Sequence, residues 1–310
     1  MSNVWQYYLL KGLSFIICLL PYSLVLWLGK ILGKLYYRIA ARQRRRALQQ
    51  MQESLGISLE AAEQKISSLF IKLGQTFLEM LYMPVLTPET MDRYVTIENR
   101  HYLAEAVDQG RGVVLLTAHI GNWEWLGAFL AMSGFPLAAV IKRQPNDQHT
   151  RILNEYRELA GIEIFARGTT ELVSAARALK SGKVLGFLAD QDAGTSGLFM
   201  KFLGRMASTP TGPTIFAKKF NAPVVPAFIV RKPEGGHKVI LLEPFYYEDT
   251  GNVEEDTYNM TAKMSNIIEK TIQQYPDEWL WFQKRWNTAY AEAIIKHEQA
   301  ISSERIGKQA

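Results

Sequence analysis

The chain of 310 residues lacks the residue patterns that build several common kinds of active site. Its single cysteine, Cys18, excludes an internal disulfide and any cysteine-rich zinc site. Its five histidines form neither an H-E-x-x-H nor an H-x-H pair, so no pattern indicates a catalytic metal. No G-x-S-x-G motif is present, which excludes the serine nucleophile found at a sharp strand-to-helix turn. We therefore expect neither a metal nor a cofactor.

Acidic residues are absent from the first 50 positions, which contain eight lysines or arginines. The other 260 residues carry 27 basic and 30 acidic side chains, so the excess positive charge lies in the N-terminal part. This asymmetry is typical of proteins that contact nucleic acid or an anionic membrane. Because no basic motif with interleaved aromatic residues supports nucleic-acid binding, we expect membrane lipids as the partner. The arginines at 42–46 would then contact anionic headgroups, unless they form an ordinary solvated face.

An uncharged run of 18 residues, GLSFIICLLPYSLVLWLG, occupies positions 12–29. As a helix it would be about 27 Å long, close to the roughly 30 Å hydrocarbon core of a bilayer. Seven positive charges follow the run and one precedes it, which predicts that the rest of the chain faces the cytoplasm. We predict a membrane-spanning or deeply embedded helix, in an anchor at 1–46 that precedes a domain at 47–310. The alternative is a helix that lies in the membrane interface or in the protein's own core.

From about residue 100 onward, buried-strand runs alternate with helical segments. The strand runs are apolar without alternation, which is typical of strands that helices cover on both faces. We therefore predict an α/β fold, with one domain built on a central, mostly parallel mixed sheet and with helices on both faces. A helix at 59–82 precedes this region. The predicted strands cover residues 112–120, 137–143, 162–166, 183–190, 222–231 and 237–245.

The stretch LLTAHIGNWEWLG at 115–127 ends a buried run with His119 and places Glu124 in the first turn of the next helix. Gly121 allows a sharp turn and Asn122 is a favourable N-cap, so the two side chains could converge. A neutral imidazole accepts a proton from a hydroxyl near pH 7, and a carboxylate on its other nitrogen fixes the tautomer. The residues alone leave another interpretation open, in which His119 is a hydrogen-bonded strand-end residue and the helix dipole favours Glu124.

The motif HIGNWE resembles the H-x-x-x-x-D/E motif of the glycerolipid acyltransferases, and the whole chain resembles the late acyltransferases of lipid A biosynthesis. This narrower resemblance rests on IKRQPNDQHTRILNEYRELAG at 141–161, FLADQDAGTSGLFMKFLGRMASTPTGP at 187–213 and YPDEWLWFQKRW at 275–286. It implies transfer of a fatty acyl group from acyl carrier protein or acyl-CoA to a hydroxyl of a lipid A precursor. It also implies His119 as general base, Glu124 as the group that orients it, and action at the cytoplasmic face of the inner membrane.

The resemblance extends to residues that would bind substrate, each with a structural alternative. Arg143 would hold an acceptor phosphate or the oxyanion, or form a surface ion pair. Asp190 and Gln191 lie at the end of a predicted strand, where the acid would bind a sugar hydroxyl or a structural arginine. Arg285 would meet a phosphate or stack between neighbouring tryptophans.

Other acceptors and activities stay open. Enzymes that acylate lysophosphatidic acid share the histidine motif, but they carry F-P-E-G-T-R-S-like text where this chain has LADQDAGTSG at 188–197. Another glycolipid, such as a mannoside, is a possible acceptor. A hydrolase that uses the same base on water and an inactive lipid-binding protein are the alternatives outside the acyltransferases.

Overall fold

The computed structural model describes residues 4–141, 148–166 and 169–290. The helices in this part of the chain are α1 (Val4–Cys18), α2 (Tyr22–Ile39), α3 (Ala41–Leu55), α4 (Leu59–Tyr82), α5 (Pro88–Tyr94), α6 (Arg100–Asp108), α7 (Trp123–Met132), α8 (Gln148–Leu159), α9 (Thr169–Lys180), α10 (Gly212–Phe220) and α11 (Val253–Gln274). The strands are β1 (Val95–Glu98), β2 (Val113–Thr117), β3 (Leu137–Ile141), β4 (Glu163–Ala166), β5 (Val184–Leu188), β6 (Leu198–Phe202), β7 (Arg205–Thr209), β8 (Val224–Arg231) and β9 (His237–Leu241).

A seven-stranded sheet in the order β1-β9-β8-β2-β5-β3-β4 forms the centre of the fold. Its adjacent strands are parallel, except that β8 and β9 are antiparallel. Alternate residues of the central strand β2 belong to different apolar clusters: Val114 and Leu116 to one, Val113 and Leu115 to the other. Because side chains alternate between the faces of a strand, the two clusters lie on opposite faces of the sheet. The prediction of a mixed α/β sheet covered on both faces is confirmed.

The prediction of a membrane-spanning N-terminal helix is wrong. The uncharged run is divided between α1 and α2, because Pro21 has no N–H to continue α1 and instead stands directly before α2. Helix α1 also contains Lys11, and α2 contains Lys30, Lys34 and Arg38. Among residues 4–141, 148–166 and 169–290, the structure has no helix with both the length and the apolar character needed to cross a membrane.

Helix α2 packs on α4 with the two backbones in direct contact. Gly29 and Gly33 of α2 face Gly74 of α4, and a Cβ atom at Gly33 would lie 2.3 Å from the carbonyl oxygen of Phe70. Small residues spaced four apart allow two helices to approach this closely. The first helices are therefore packed against the rest of the protein, and the predicted division at residue 46 falls inside α3 and stays a prediction.

The outer sides of α1 and α2, with the turn between them, nevertheless expose large apolar side chains. We call this set the N-terminal apolar surface. Each of its members is at least 45% exposed, which is unusual for so many large apolar residues in one part of a chain. They are Trp5, Tyr8, Leu9, Phe15, Ile16, Leu19, Trp27, Ile31, Leu35 and Ile39.

Candidate active site

Two adjacent parallel strands bring the predicted histidine beside a buried aspartate. Thr117, the last residue of β2, is in register with Leu188, the last residue of β5. His119 and Asp190 each follow two residues later, so they meet at the carboxyl edge of the sheet, where α/β proteins place their sites. The Nδ1 atom of His119 lies 2.8 Å from Oδ1 of Asp190, and the His119 backbone N–H donates to Oδ2 at 3.1 Å.

The C-terminal segment at 279–283 also forms hydrogen bonds to Asp190. The Asp190 carboxylate accepts hydrogen bonds from Nε1 of Trp279 at 2.7 Å and from Nε2 of Gln283 at 3.0 Å. The same segment holds the backbone next to the histidine, since Leu280 N–H donates to the carbonyl of His119. Asp190 is fully buried, which alone raises the pKa of a carboxyl group. The neighbouring His119 and the donated hydrogen bonds more than reverse this, and the pKa of Asp190 lies below its usual range.

The electrostatics of His119 favour a strong base. Burial lowers the pKa of its imidazole, but the Asp190 carboxylate outweighs burial, and the pKa of His119 is raised above its ordinary value. A carboxylate only accepts hydrogen bonds, so Nδ1 carries the proton and Nε2 presents its lone pair. The amide Nε2 of Gln191 lies 3.4 Å from His119 Nε2. The His119 side chain keeps 15% of its surface exposed.

Glu124 forms an ion pair with an arginine from α8. The guanidinium of Arg157 donates through Nε at 2.7 Å and through Nη2 at 2.5 Å, and Trp123 Nε1 donates to the same carboxylate at 3.1 Å. The negative charge of Glu124 also raises the pKa of His119. The hydrogen bond to Nδ1 of His119 that we expected of Glu124 is made by Asp190. A catalytic role for Glu124 stays a prediction.

The turn between His119 and Glu124 has a strict backbone requirement. Gly121 has a φ of 60°, and a Cβ atom there would lie 2.1 Å from the carbonyl oxygen of Ile229. Asn122 then caps α7 by accepting from the N–H of Trp125 at 3.1 Å. The sharp turn and N-cap that the sequence suggested are therefore present in the structure.

A buried ionic cluster lies beneath this turn, and sequence reasoning missed it. Glu79 of α4 accepts from both terminal nitrogens of Arg231 at 2.8 Å, from His237 Nε2 at 3.0 Å and from Tyr22 O–H at 2.7 Å. It also accepts from Asn122 Nδ2 at 2.9 Å, which ties the cluster to the cap of α7. Burial alone raises the pKa of Glu79, but Arg231 and His237 hold that pKa below its usual range.

The other predicted substrate residues are found in different settings. Arg285 is fully buried, donates to the carbonyl of Ser208 and to Thr209 Oγ1, and lies 4.5 Å from the centre of the Phe202 ring, instead of between tryptophans. Burial lowers the pKa of its guanidinium to about 10. Gln191 lies beside His119, as described above. Arg143 lies outside the described residues.

Two cavities with opposite chemistry are lined by neighbours of His119. The first, which we call the apolar groove, has a volume of about 410 Å³ and includes Trp123, whose ring centre is 4.9 Å from that of His119. The second, the polar pocket, has a volume of about 250 Å³ and includes Gln191. The groove lies between α2, α4 and Trp123, and its lining is Leu32, Leu35, Tyr36, Ile39, Leu73, Gly74, Thr76, Phe77, Met80 and Trp123. The polar pocket is lined by Gln191, Asp192, Gln283, Lys284, Arg285 and Asn287.

A carboxylate-held histidine at the edge of an α/β sheet, with an apolar and a polar cavity lined by its neighbours, suits an amphiphilic substrate. The chain belongs to the bacterial lipid A biosynthesis acyltransferase family, whose model matches residues 1–288. It is an O-acyltransferase of the lipid A late acyltransferase type, and this family implies a lipid acceptor and an acyl donor.

Individual relatives carry two kinds of name. The chain is 25% identical to the lipid A biosynthesis lauroyltransferase of Escherichia coli over 291 residues, which covers 92% of each protein. It is 24% identical to the lipid A biosynthesis palmitoleoyltransferase of the same organism over 272 residues, 87% of each protein. It is also 25% identical to the phosphatidylinositol mannoside acyltransferase of Mycolicibacterium smegmatis over 214 residues, 67% of each protein. These relatives together support a glycolipid acyltransferase.

Proposed function

We propose that this protein transfers a fatty acyl group from the thioester of acyl carrier protein, or of coenzyme A, to a hydroxyl of a lipid A precursor, with His119 as general base. One observation carries the mechanism: the 2.8 Å contact between His119 Nδ1 and the buried Asp190 carboxylate, which leaves Nε2 as the proton acceptor. The similarity to lipid A acyltransferases along nearly the whole chain supports this acceptor.

The reaction needs no nucleophile from the protein. His119 Nε2 takes the proton of the acceptor hydroxyl as its oxygen attacks the thioester carbonyl. The tetrahedral intermediate then collapses, the carbon–sulfur bond breaks, and His119 returns the proton to the departing thiolate. Asp190 holds the imidazole in the required tautomer and stabilises its protonated form throughout. The products are an ester and a free thiol, and the histidine ends the cycle neutral.

Glu124 has a different part in this proposal from the one its position in the motif suggested. Its carboxylate fixes Arg157 and the indole of Trp123, and Trp123 contacts both the His119 ring and the apolar groove. We infer that Glu124 positions Trp123 and contributes negative charge near the histidine. Asp190 is the group that orients His119.

The apolar groove would receive the acyl chain of the donor. Its lining is almost entirely apolar, its volume lies in the range of ligand sites, and Trp123 connects it to the histidine. A thioester carbonyl held beside His119 Nε2 would then have its hydrocarbon chain in the groove. Since Leu32, Leu35 and Ile39 line the groove from α2, helix packing would set how long a chain fits.

Partial filling of the groove is expected to shift acyl preference toward shorter donors. Leu73→Trp enlarges a half-buried side chain that lines the groove. Each methylene group that no longer fits such a pocket changes the kcat/KM ratio of the longer to the shorter substrate by about 10-fold or more. The measurement is the ratio of kcat/KM for myristoyl to lauroyl thioesters, with Leu159→Trp, an exposed leucine of α8, as control. An unchanged ratio in Leu73→Trp would show that the chain lies elsewhere.

We propose further that the N-terminal apolar surface rests on the cytoplasmic face of the inner membrane. Helices with large apolar side chains on one side and lysines or arginines nearby bind in the interface between lipid headgroups and chains. Here α2 itself carries Lys30, Lys34 and Arg38, and α3 begins with a run of arginines. This arrangement matches the alternative in which the N-terminal helices lie in the membrane interface. It would bring a lipid acceptor close to the apolar groove.

Removal of two side chains from this surface is expected to weaken membrane binding. Phe15 and Leu19 are 67% and 69% exposed, so Phe15→Ser with Leu19→Ser leaves the core intact. Burial of such a side chain is worth about 1.5–3 kcal/mol, and we expect vesicle affinity to fall at least tenfold. Co-sedimentation with phosphatidylglycerol-containing vesicles measures it, with Leu159→Ser plus Val253→Ser as the control pair. Equal affinity in both pairs would place the lipid contact on another surface.

A transfer assay with the full-length protein tests the proposed function directly. Labelled lauroyl and myristoyl carrier-protein thioesters, and the matching coenzyme A thioesters, are offered with a lipid A precursor. Parallel reactions contain a phosphatidylinositol mannoside or lysophosphatidic acid, and a His119→Asn variant serves as the blank. Acylated lipid A precursor as the main product supports the proposal. Product from the mannoside alone would favour the second candidate, which the mycobacterial relative suggests, and free fatty acid alone would indicate a hydrolase.

A further inference from the structure

The polar pocket beside His119 contains polar atoms that the protein does not satisfy. Oδ1 of Asp192, Oε1 of Gln283 and Nε of Arg285 are buried, and none of the three has a hydrogen-bond partner among the described residues. All three side chains line the same pocket. Since buried polar atoms in proteins are nearly always paired, this concentration at one cavity indicates a ligand that supplies the missing partners.

The hydrogen-bonding character of each atom follows from its other contacts. Gln283 donates from its amide nitrogen to Asp190, so its free end is the carbonyl oxygen, an acceptor. Asp192 uses Oδ2 for Thr288 Oγ1 at 2.7 Å and for the N–H of Gly194 at 3.3 Å, which leaves Oδ1 as a second acceptor. Arg285 uses its two terminal nitrogens, which leaves Nε–H as a donor.

Two acceptors beside one donor match neutral hydroxyl groups better than an anion. A hydroxyl both donates and accepts, so neighbouring hydroxyls of one sugar ring could pair with a carboxylate, an amide oxygen and a guanidinium together. A phosphate carries no proton to spare for two acceptors, and the Asp192 carboxylate would repel it. Asn287 and Lys284 lie at the edge of the pocket, where the Lys284 ammonium would attract an anion. The preference for hydroxyl groups therefore rests on the two unpaired acceptors, Asp192 Oδ1 and Gln283 Oε1.

The position of the pocket relates the sugar to the base. Gln191 lines the pocket and also lies 3.4 Å from Nε2 of His119. A ring seated in the pocket would replace the Gln191 amide with one of its own hydroxyls at the nitrogen that accepts the proton. Trp123, which contacts the His119 ring, lines the apolar groove, so acyl chain and acceptor sugar would approach His119 from different cavities.

We propose that the polar pocket is the subsite for a sugar ring of the acceptor glycolipid, held by Asp192, Gln283 and Arg285. The proposal rests on the proposed acyl transfer to a glycolipid and adds the place where the acceptor is recognised. Asp192 and Gln283 are half-buried and Arg285 is fully buried, so binding of the ring requires these side chains to rotate toward the pocket.

Two variants test the subsite in the full-length protein. Asn287→Trp fills the pocket from its exposed edge, and we expect the KM for the glycolipid acceptor to rise at least tenfold while the KM for the acyl thioester stays within twofold. Asn259→Trp, which places the same side chain on the exposed side of α11, is the matched control. Asp192→Asn replaces an acceptor atom by a donor with little change of shape, and the acceptor KM is expected to rise severalfold.

Calorimetric titration separates this proposal from the transfer reaction. The probes are the deacylated sugar head of the lipid A precursor and inorganic phosphate, each titrated into the unmodified protein and both pocket variants. Sugar binding that is weakened in both variants supports the subsite, even if no acyl transfer is found and the proposed function fails. An acceptor KM in Asn287→Trp equal to that of Asn259→Trp, together with unchanged sugar binding, would overturn it. Tighter binding of phosphate or acceptor by Asp192→Asn would also overturn it, in favour of a phosphate site.

Discussion

Replacement of His119 by asparagine is expected to lower kcat/KM for acyl transfer by about 10²–10⁴-fold, the usual contribution of a general base. The asparagine amide can still donate to Asp190, so the buried carboxylate keeps a partner and the fold is preserved. What is lost is the lone pair of Nε2. The measurement is the initial rate of ester formation with saturating thioester, together with the unfolding temperature of the variant.

His101 provides the matched control. It is an exposed histidine on α6, so His101→Asn should leave the rate within a factor of two. A His119→Asn protein that unfolds at the normal temperature and keeps most of its activity would disprove the general-base assignment. Loss of activity with unfolding would require the same test with His119→Gln before the base could be judged.

Replacement of Asp190 by asparagine is expected to have an effect of similar size and a characteristic pH signature. The neutral amide no longer imposes the tautomer with a proton on Nδ1, and loss of an equivalent carboxylate elsewhere costs about 10⁴-fold in kcat. The base acts only when neutral, so activity rises with pH through the pKa of His119. Because Asp190 raises this pKa, its removal should shift the acid limb of the profile to lower pH, even though the maximal rate falls.

The pH profile also separates the two carboxylates near the histidine. Glu124 raises the pKa of His119 less than Asp190 does, so Glu124→Gln should shift the acid limb less. Asp108→Asn, an exposed acid on α6, is the control and should leave the profile unchanged. A larger shift in Glu124→Gln than in Asp190→Asn would return the orienting role to Glu124.

The sequence allowed the sheet and the position of the histidine to be predicted, but not the partner of that histidine. Apolar runs predict β2 and β5, and His119 and Asp190 each lie at the carboxyl end of a predicted strand. Glu124 was preferred as the partner because it is close in the motif. The actual partner is 71 positions away, and only the pairing of β2 with β5 brings it within 2.8 Å.

Other features went unpredicted for identifiable reasons. The antiparallel pair β6 and β7 lies at 198–209, where no strand is predicted from the sequence. Glu79 lies in the predicted helix at 59–82, and only the structure shows that its side chain is on the buried face. A carboxylate on the apolar face of a helix needs buried partners, and its partners Arg231 and His237 come from distant strands. No local pattern identifies them.

The N-terminal helices were misjudged because hydropathy does not distinguish a side chain covered by lipid from one covered by protein. The run at 12–29 is uncharged, but Gly29 and its neighbour Gly33 mark the side of α2 that packs on α4. Pro21, within the run, separates two helices that the lack of charge alone does not distinguish from one.

The contact between α2 and α4 has a practical consequence for purification of this enzyme. Removal of the first 40 residues is a common route to a soluble protein. Here it would remove the hydrogen bond from Tyr22 to Glu79 and expose Gly74, which Gly29 and Gly33 contact. Because Glu79 also holds Asn122 at the cap of α7, the damage would extend to the turn beside His119. Solubility is better sought by polar replacements at exposed residues of α1 such as Trp5 and Phe15, which do not line the apolar groove.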